Sequence, residues 1–460
     1  MGRPFLKICC RTTVAGCVLH DDMKRLLLSL ALLSAPILPA ADWPQWMGPV
    51  RDGIWEEPDL AAKVNPANAT MVWSATAGGG YAGPAVADGR VYLMSCHRSE
   101  MPADTSQGLP GEEQLLCLEA ATGKVLWEQR WPVVYKIDYA SGPRATPTVH
   151  EGRVYALGAE GQLVCADAKD GKVLWRRDFQ KELPCPSPTW GFAGHPLVFE
   201  DKLICLAGGQ GSTCVALDLL TGEEKWRALS SKQAGYCPPQ LIHSGGQPQV
   251  ILWHGEAINA LDPRTGEVHW TLPRESRYGV SMASPVQQGD RLLISAYWWG
   301  SKMLQLKQDH SLPDTLWETQ REGDTRTEHL NALMCTPLLA DGFLYGVCSY
   351  GQLRCLDWKT GERRWETMAA TGGKEDRWVT AFLTRLGRKG NDFLLFNEQG
   401  ELIHATLTPE SYQEKSRKAL IVPNSPDVKN RKVVWSHPAY SNGHVFVRND
   451  GELRCWKLVP

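Results

Sequence analysis

The sequence lacks the motifs of several common catalytic and metal-binding classes. No two cysteines have the Cys-X-X-Cys spacing of a zinc site, and no GxSxG, HExxH or P-loop motif occurs. The haem-attachment motif CxxCH is also missing. The formal net charge is −2 and there is no run of lysine or arginine, so the sequence predicts no nucleic-acid partner.

Long apolar runs are scarce, and the one near the N-terminus is short. It covers residues 26–38, follows Lys24 and Arg25, and precedes small residues, which is the pattern of a secretory signal peptide. Its 13 residues are too few to cross ~30 Å of hydrocarbon as a helix, so no membrane span is predicted. We expect residues 1–41 to be a leader, with Met23 as an alternative start, and the protein to be exported to the periplasm or the extracellular space.

The chain has 460 residues, is rich in Gly (43), Pro (30) and Trp (19), and repeats itself. Five segments place an acidic residue, a glycine and a tryptophan at identical spacing: 119–127, 167–175, 218–226, 262–270 and 357–365. The acidic side chain can accept backbone N–H bonds in a turn, the glycine can take a positive φ, and the tryptophan can anchor the next strand. A degenerate copy without the Thr-Gly turn ends at Trp317, and with it the five steps from Trp127 to Trp365 give a period of about 48 residues.

Each repeat is predicted to contain four short antiparallel strands. A Pro begins the first strand, and a turn of the Asp-Gly or Asn-Gly type separates the first strand from the second. The acidic turn separates the third strand from the fourth. Seven units start near residues 84, 147, 196, 239, 285, 337 and 381. An eighth unit begins at Trp435 and supplies three strands, and the strand that bears Trp73 can supply the fourth. The sequence therefore predicts an all-β fold, an eight-bladed β-propeller of four-stranded antiparallel blades closed by its N-terminal strand. Residues 68–460 form this propeller, and residues 42–67 are an irregular Trp/Pro-rich lead-in whose tryptophans act as apolar plugs.

The cysteines fall into two groups. Cys117, Cys165, Cys355 and Cys455 share one repeat position, which holds Ala260 in another copy, so they are expected to be small buried hydrophobes. Whether any of the other cysteines form a disulfide, the sequence leaves open.

The repeat resembles that of PQQ-type (pyrroloquinoline quinone) propellers, which quinoprotein alcohol and glucose dehydrogenases share with the outer-membrane assembly factor BamB. The resemblance covers about residues 70–460. It implies that the repeat tryptophans pack between neighbouring blades. These structural residues are Trp73, Trp127, Trp175, Trp226, Trp270, Trp317 and Trp365.

The resemblance is weaker for catalysis. Family members that use PQQ have a vicinal disulfide, a Ca²⁺ held by carboxylate and Asn, and a catalytic Asp. Here the only adjacent cysteines are Cys9 and Cys10, in the leader, and residues 300–316 offer only Asp309 and Asp314 without a Gly-rich metal loop. We therefore predict no catalytic residue, no metal and no cofactor, with PQQ and calcium kept as an alternative.

A candidate site lies where loops enter the inner strands, since those loops gather at one entrance of the central channel. Aromatic residues beside Arg, His and Asn suit a planar or anionic ligand. Alternatively, Arg and His satisfy backbone carbonyls and the aromatic residues cap blade ends. The candidate residues are Tyr81, Arg144, Trp190, His195, Tyr236, His329, Asn331, Arg377, Trp378, Trp435 and His437.

The predicted function is an exported, non-catalytic binding or assembly scaffold of the cell envelope. By resemblance to BamB, its expected partner is another protein. One alternative is a PQQ-dependent alcohol or sugar dehydrogenase. A second alternative is a carbohydrate-binding propeller, with a glycan or a small ligand in the channel.

Overall fold

A computed structural model describes residues 42–98, 106–320, 328–426 and 428–460. The predicted signal peptide, the alternative start at Met23 and the Cys9-Cys10 pair lie outside these residues. In the part of the chain that is described, no helix is long and apolar enough to cross a membrane.

The described residues form eight β-sheets, each of which is one blade of a propeller. The lead-in contains β1 (Ile54–Trp55), α1 (Leu60–Lys63) and a 3-10 turn (Pro66–Asn68), and β2 (Thr70–Thr76) follows it. Blade 1 contains β3 (Ala85–Ala87), β4 (Arg90–His97), β5 (Leu109–Glu119) and β6 (Val125–Tyr135). Blade 2 contains β7 (Thr148–His150), β8 (Arg153–Leu157), β9 (Gln162–Asp167) and β10 (Val173–Asp178), with α2 (Phe179–Glu182) after it.

The next three blades have the same strand order. Blade 3 contains β11 (Leu197–Phe199), β12 (Lys202–Leu206), β13 (Cys214–Asp218) and β14 (Glu224–Ala228). Blade 4 contains β15 (Gln240–Ser244), β16 (Gln247–Trp253), β17 (Ala257–Leu261) and β18 (Val268–Pro273), with a 3-10 turn at Arg277–Gly279. Blade 5 contains β19 (Val286–Gln288), β20 (Arg291–Ala296), β21 (Gly300–Gln305) and β22 (Asp314–Glu318).

The last three blades complete the ring. Blade 6 contains β23 (Leu338–Ala340), β24 (Phe343–Val347), β25 (Leu353–Asp357) and β26 (Arg363–Thr367), with a 3-10 turn at Ala369–Thr371. Blade 7 contains β27 (Ala381–Leu386), β28 (Asp392–Asn397), β29 (Glu401–Leu407) and β30 (Tyr412–Ala419). Blade 8 contains β31 (Ala439–Ser441), β32 (His444–Arg448) and β33 (Glu452–Lys457), and β2 is its fourth strand.

The first strand of each blade lies innermost. β3 packs against β7 and β31, β7 packs against β11, and β23 packs against β27, as expected for strands around one axis. The ring closes where β2 pairs antiparallel with β33, with Trp73 opposite Cys455 and Thr76 opposite Glu452. The predicted eight-bladed propeller and its closure by the N-terminal strand are confirmed.

The repeated turn holds neighbouring blades together. In blade 3, the Asp218 carboxylate accepts the backbone N–H groups of Leu220 and Thr221 at 2.8 and 2.9 Å. The Trp175 indole of blade 2 donates to the Leu219 carbonyl of this turn at 3.1 Å. A Cβ on Gly222, where φ is +72°, would lie 2.6 Å from that indole. The acid thus shapes the turn, and the glycine leaves room for the tryptophan.

The other repeat tryptophans occupy related positions. Four indoles also donate to a carbonyl of the next blade: Trp73 to Ala120, Trp127 to Ala168, Trp226 to Pro263 and Trp365 to Thr408. Trp317 instead stacks on His329, with ring centres 4.7 Å apart. Trp270 is buried in a cluster with Leu304 and Leu306 of blade 5. Apolar contact with the next blade is therefore common to the set, whereas the hydrogen bond is not.

The lead-in crosses one end of the central channel. At this end lie the turns between the first and second strands of each blade, such as the β3–β4 turn. Trp43 pairs with Val86 of β3, and the Val149 N–H of β7 donates to the Pro44 carbonyl. β1 then pairs in parallel with β27 of blade 7. Trp55 stacks on Tyr440 of blade 8, with ring centres 4.9 Å apart. This segment, predicted to be irregular, therefore contacts inner strands around the ring and covers one end of the channel.

Candidate functional site

An aromatic cavity lies on the propeller axis at the face opposite the lead-in. Loops that enter the inner strands build most of it, together with the β20–β21 turn. Its volume is about 190 Å³, which is larger than the ~150 Å³ cavity that holds benzene in another protein and below the usual range for drug-sized ligands. The lining residues are Trp46, Tyr81, Tyr139, Arg144, Trp190, Ala193, His195, Tyr236, Pro238, Val280, Met282, Tyr297, Trp298, Leu333, Met334, Trp378, Phe382, Trp435 and His437.

The floor of this cavity is made by the lead-in. The Trp46 ring stacks on the His195 imidazole, with centres 4.9 Å apart and planes 11° apart, and meets His437 edge-on at 5.8 Å. Behind it, the buried guanidinium of Arg51 donates to the carbonyls of His195 and Pro239 at 3.4 and 3.1 Å. The cavity is therefore open to solvent on the loop face and closed by Trp46 below.

Both floor histidines are neutral. The Nδ1 atom of His195 accepts the Thr146 N–H at 2.9 Å, which assigns its proton to Nε2. Burial, followed by the nearby His437 and Arg51, lowers the pKa of His195 well below its usual value. Burial lowers the pKa of His437 to about 3. These imidazoles therefore offer neutral N–H donors at pH 7 rather than positive charge.

Arg144 is the cation of the lining. Its guanidinium donates to the carbonyls of Asp138 and Tyr139 at 2.8 and 2.7 Å, and also to that of Gly142. It lies over the Tyr81 ring, 5.2 Å from the centroid. Burial lowers its pKa, but an arginine remains charged at neutral pH. Three bonds leave two of its five N–H groups for other partners.

The aromatic walls contact each other through edge-to-face and tilted pairs. Tyr139 meets Trp378 and Trp435, with ring centres 6.3 and 6.1 Å apart. On the opposite side, Trp190 meets Tyr236 at 5.4 Å. Such pairs stabilise by about 0.5–1.5 kcal/mol beyond the area they bury. The walls are therefore mutually supported before any ligand enters.

Three of these aromatic residues have left-handed backbone conformations. The φ angles are +49° at Tyr139, +65° at Trp298 and +67° at Trp378. For a bulky side chain this region is rarely occupied, and it costs about 1–3 kcal/mol. Strain of this kind is concentrated at binding sites, because the surrounding structure must hold the side chain in one direction.

A buried carboxylate fixes the ring of Trp435. Its indole N–H donates to Glu398 at 2.9 Å, and Arg431 donates to the other carboxylate oxygen at 2.7 Å. Arg431 also pairs with Asp376 at 3.3 Å. Burial raises the pKa of Glu398 despite these donors. This network lies behind the cavity wall, so it positions Trp435 without lining the cavity.

The structure brings together eight of the eleven predicted site residues, namely Tyr81, Arg144, Trp190, His195, Tyr236, Trp378, Trp435 and His437. It places the other three elsewhere. His329 lies under Trp317 at a blade junction, and the buried Asn331 side chain donates to Ser349 at 3.0 Å. Arg377 is exposed and donates to the Tyr350 hydroxyl at 3.1 Å.

Sequence reasoning missed several lining residues. Met282 and Met334 lie in the loops that enter the inner strands, but an apolar side chain in a loop gives no functional signal. Tyr297 and Trp298 come from a different turn, between β20 and β21, that opens on the same face. The sequence predicts that Trp46 is an apolar plug, but it does not predict where the ring lies.

Several reactive side-chain types are absent from the described lining. It contains no carboxylate, Lys, Cys, Ser or Thr side chain among the described residues. Across the described ranges, no three His, Cys, Asp or Glu side chains are grouped closely enough to hold a metal ion. The described cysteines are buried and have free thiols. The polar side chains of the described lining are therefore Arg144, two imidazoles and the tyrosine hydroxyls, among indoles and apolar groups.

Comparison with known proteins gives the same fold. BamB of Yersinia pestis is 24% identical over 228 residues, which is 44% of this chain and 52% of the relative. The chain thus matches about half the length of that curated relative. The structure of BamB from Moraxella catarrhalis superposes with a TM-score of 0.54 and 14% identity, covering 85% of this chain and 97% of that one.

A quinoprotein enzyme has a similar shape. Quinohemoprotein alcohol dehydrogenase from Comamonas testosteroni gives a TM-score of 0.61 at 14% identity, over 91% of this chain and 80% of the enzyme. Such low identities establish a common fold and nothing more. A family model described as outer membrane protein assembly factor BamB matches residues 57–138 and 111–367. Since these matches cover more than half of the sequence, the chain belongs to the BamB family of PQQ-type repeat propellers.

Proposed function

We propose that this protein is an exported, non-catalytic scaffold of the cell envelope that binds a protein partner on its loop face. The observation that carries the proposal is the aromatic cavity on that face, closed at its floor and lined without a carboxylate or nucleophile among the described residues. The described lining has five Trp, four Tyr and one Arg, and these are the residue types that dominate binding energy at protein interfaces.

The cell-envelope location rests on the sequence and on the relatives. The basic residues Lys24 and Arg25, followed by the apolar run 26–38, form the signal-peptide pattern. The curated relative is an outer membrane protein assembly factor, and by likeness to it we propose an envelope protein as the partner.

The cavity does not fit PQQ with calcium. Calcium prefers six to eight oxygen ligands, chiefly carboxylates and carbonyls. The described lining offers indoles, phenols, thioethers, two neutral imidazoles and one guanidinium instead. We therefore prefer a binding scaffold to a quinoprotein dehydrogenase as the function of this protein, although the chain shares its fold with such an enzyme.

A carbohydrate-binding propeller is also less well supported. Aromatic rings such as Trp190 could stack on a sugar, but each sugar hydroxyl both donates and accepts hydrogen bonds. The described lining has no carboxylate or amide to accept them. A glycan would therefore leave several of its hydroxyl protons without partners in the cavity, which is costly.

Photo-crosslinking in living cells tests the binding face. A benzophenone amino acid is placed at Tyr278 or Arg377, which are exposed near the cavity mouth. Matched controls carry it at Glu151 and Asn442, exposed on turns of the opposite face. We expect discrete protein adducts from the loop-face positions, whereas adducts only from the control positions, or from none, would overturn the proposal.

Two further measurements test export and catalysis. Alkaline phosphatase fused after Pro460 is active only if it is exported, and we expect activity that is lost when residues 26–38 are deleted. The purified protein is then incubated with PQQ, Ca²⁺, an electron-accepting dye, and an alcohol or a sugar. Turnover above a protein-free control would replace the scaffold with the dehydrogenase.

A further inference from the structure

The cavity has many hydrogen-bond donors and few acceptors. Its donors include the two remaining N–H groups of Arg144, the Nε2–H of His195 and one ring N–H of His437. Among its side chains, the acceptors are tyrosine hydroxyls, one imidazole nitrogen and the weakly accepting thioethers of Met282 and Met334. A ligand that matches this lining must bring acceptor atoms.

The positive charge of the site is not neutralised by a direct ion pair. Among the described residues, Arg144 has no salt bridge, and its bonds go to backbone carbonyls. The buried Glu113 lies nearby, but its oxygens accept bonds from Trp131 at 3.0 Å, Tyr135 at 2.7 Å and the Ala159 N–H at 2.8 Å. Glu113 and the buried Glu160 act on Arg144 only through space, so a ligand carboxylate would be the first acidic group in direct contact with its guanidinium among the described residues.

A second buried arginine strengthens this preference. Arg51 lies directly below the floor and donates to carbonyls and to the Gln45 side chain, at 2.9 Å for the latter. In the described part of the chain it has no carboxylate partner. It is thus a second buried positive charge, beneath the floor of the cavity.

We propose that the cavity binds a compact apolar group that carries one carboxylate, with the carboxylate accepting a bond from an N–H group of Arg144 that the backbone carbonyls leave open. The apolar group, an aromatic ring or a branched aliphatic chain, lies against Tyr81, Trp378 and Trp435. Hydrogen bonds between arginine and a carboxylate are charge-assisted and roughly twice as strong as neutral ones. The cavity volume of about 190 Å³ suits a single ring of this size.

Other ligands are less compatible with these contacts. Aromatic cages bind quaternary ammonium groups such as choline, but a cation here would approach Arg144 with no acidic side chain in the described lining to offset the repulsion. The same carboxylate chemistry has two sources, a free organic acid and the C-terminus of a polypeptide that ends in an apolar residue. The proposed carboxylate site depends on the proposed function only in that both lie on the same loop face.

Calorimetric titration of the purified protein tests the charge of the ligand. The probes are 3-phenylpropionate, its neutral amide, the 2-phenylethylammonium cation, choline and glucose. We expect the acid to bind at least tenfold more tightly than the amide, and the cations and the sugar to bind more weakly still. Equal affinity for acid and amide, tighter binding of a cation or of glucose, or no binding of the acid would overturn the proposal.

A peptide pair identifies the source of the carboxylate. Gly-Gly-Phe is titrated with its C-terminus free and amidated. Tighter binding of the free peptide than of 3-phenylpropionate indicates a polypeptide C-terminus, and the reverse order indicates a small acid. Both orders support the carboxylate site, and both are independent of whether the crosslinking experiment yields a partner.

A matched pair of variants tests the residue. In Arg144→Gln the charge is lost, and we expect the affinity for 3-phenylpropionate to fall at least tenfold. Arg90 also donates to two carbonyls, those of Ala168 and Lys169, but near the opposite face, so Arg90→Gln should bind normally. An unchanged affinity in Arg144→Gln would overturn the assignment, and the acid–amide comparison on the unmodified protein decides the case if that variant does not fold.

Discussion

The indole of Trp46 stacks on the imidazole of His195, with ring centres 4.9 Å apart and planes 11° apart. Trp46 belongs to the lead-in, and His195 directly precedes the inner strand of blade 3. The same imidazole accepts the Thr146 N–H of blade 2. One pair of rings thus joins the lead-in to two blades and forms the floor of the aromatic cavity.

Removal of the floor ring should destabilise the whole ring of blades. We expect Trp46→Ala to lower the free energy of unfolding by about 3–5 kcal/mol, because it leaves a void among buried rings. Val50→Ala is the control, since this lead-in side chain is 63% exposed and should change stability by less than about 0.5 kcal/mol. Urea unfolding measures both, and similar small losses would mean that the lead-in is only loosely bound.

Two glycines with the same φ angle allow the cost of a left-handed backbone to be measured apart from the cost of crowding at a blade junction. Gly222 and Gly152 both have φ of +72°, but a Cβ lies 2.6 Å from the Trp175 ring at Gly222 and meets nothing within 4 Å at Gly152. We expect Gly152→Ala to cost about 1–2 kcal/mol from the left-handed conformation. Gly222→Ala should cost a further 1–3 kcal/mol or so from overpacking.

Chemical denaturation of both glycine variants measures this difference. If the two substitutions had equal effects, the tryptophan would not require glycine beneath it. The identical spacing of the acid, the glycine and the tryptophan would then be explained by turn geometry alone.

Stability should fall with acid in a window set by His437. Its pKa is about 3 in the folded protein and 6.5 in an unfolded chain, so between these values the unfolded state binds the extra proton. Its contribution is therefore complete above pH 6.5 and is lost as the pH falls toward 3, at up to about 1.4 kcal/mol per pH unit.

His437→Phe removes that proton while keeping a ring beside Phe382. We expect the free energy of unfolding of this variant to depend less steeply on pH between 6 and 3.5 or so than that of the unmodified protein. His243→Phe, at an exposed histidine, is the control and should leave the slope unchanged. An unaltered slope in His437→Phe would contradict the buried neutral imidazole.

The described cysteines should be unreactive thiols rather than disulfides. Burial raises the pKa of Cys205 and of Cys237 to about 12, so at pH 7 they are neither exposed nor ionised. We expect thiol reagents to label these residues only after denaturation. The melting temperature should be the same with and without a reducing agent, and a lower value under reduction would reveal a disulfide.

The fold could be predicted in detail because its signals are local. In 357–365 the acid, the glycine and Trp365 lie within nine residues, and short-range turn chemistry determines how they pair. Because the motif recurs along the chain, the same turn is predicted in successive blades, which together form a ring. The order of strands and the closure by β2 follow from the missing fourth strand of the last unit.

The cavity was predictable only in part, because loops carry no repeat to fix their paths. His329 and Leu333 lie in one loop, yet the first turns outward to Trp317 and the second lines the cavity. Trp298 and Trp378 point inward through left-handed backbone conformations that their residue types do not favour. No pattern in the sequence reveals such choices.

The sequence by itself determined the number of blades, the tryptophan junctions between them and the closure of the ring. The first two follow from a short motif that repeats along the chain, and the third follows from the strand that the last unit lacks. Tertiary structure alone decided that Trp46 and His195, far apart in sequence, would meet beneath Arg144. That meeting requires the lead-in to cross a channel that exists only after the blades have assembled. The site depends on long-range contacts, and its chemistry appears only when the ring is complete.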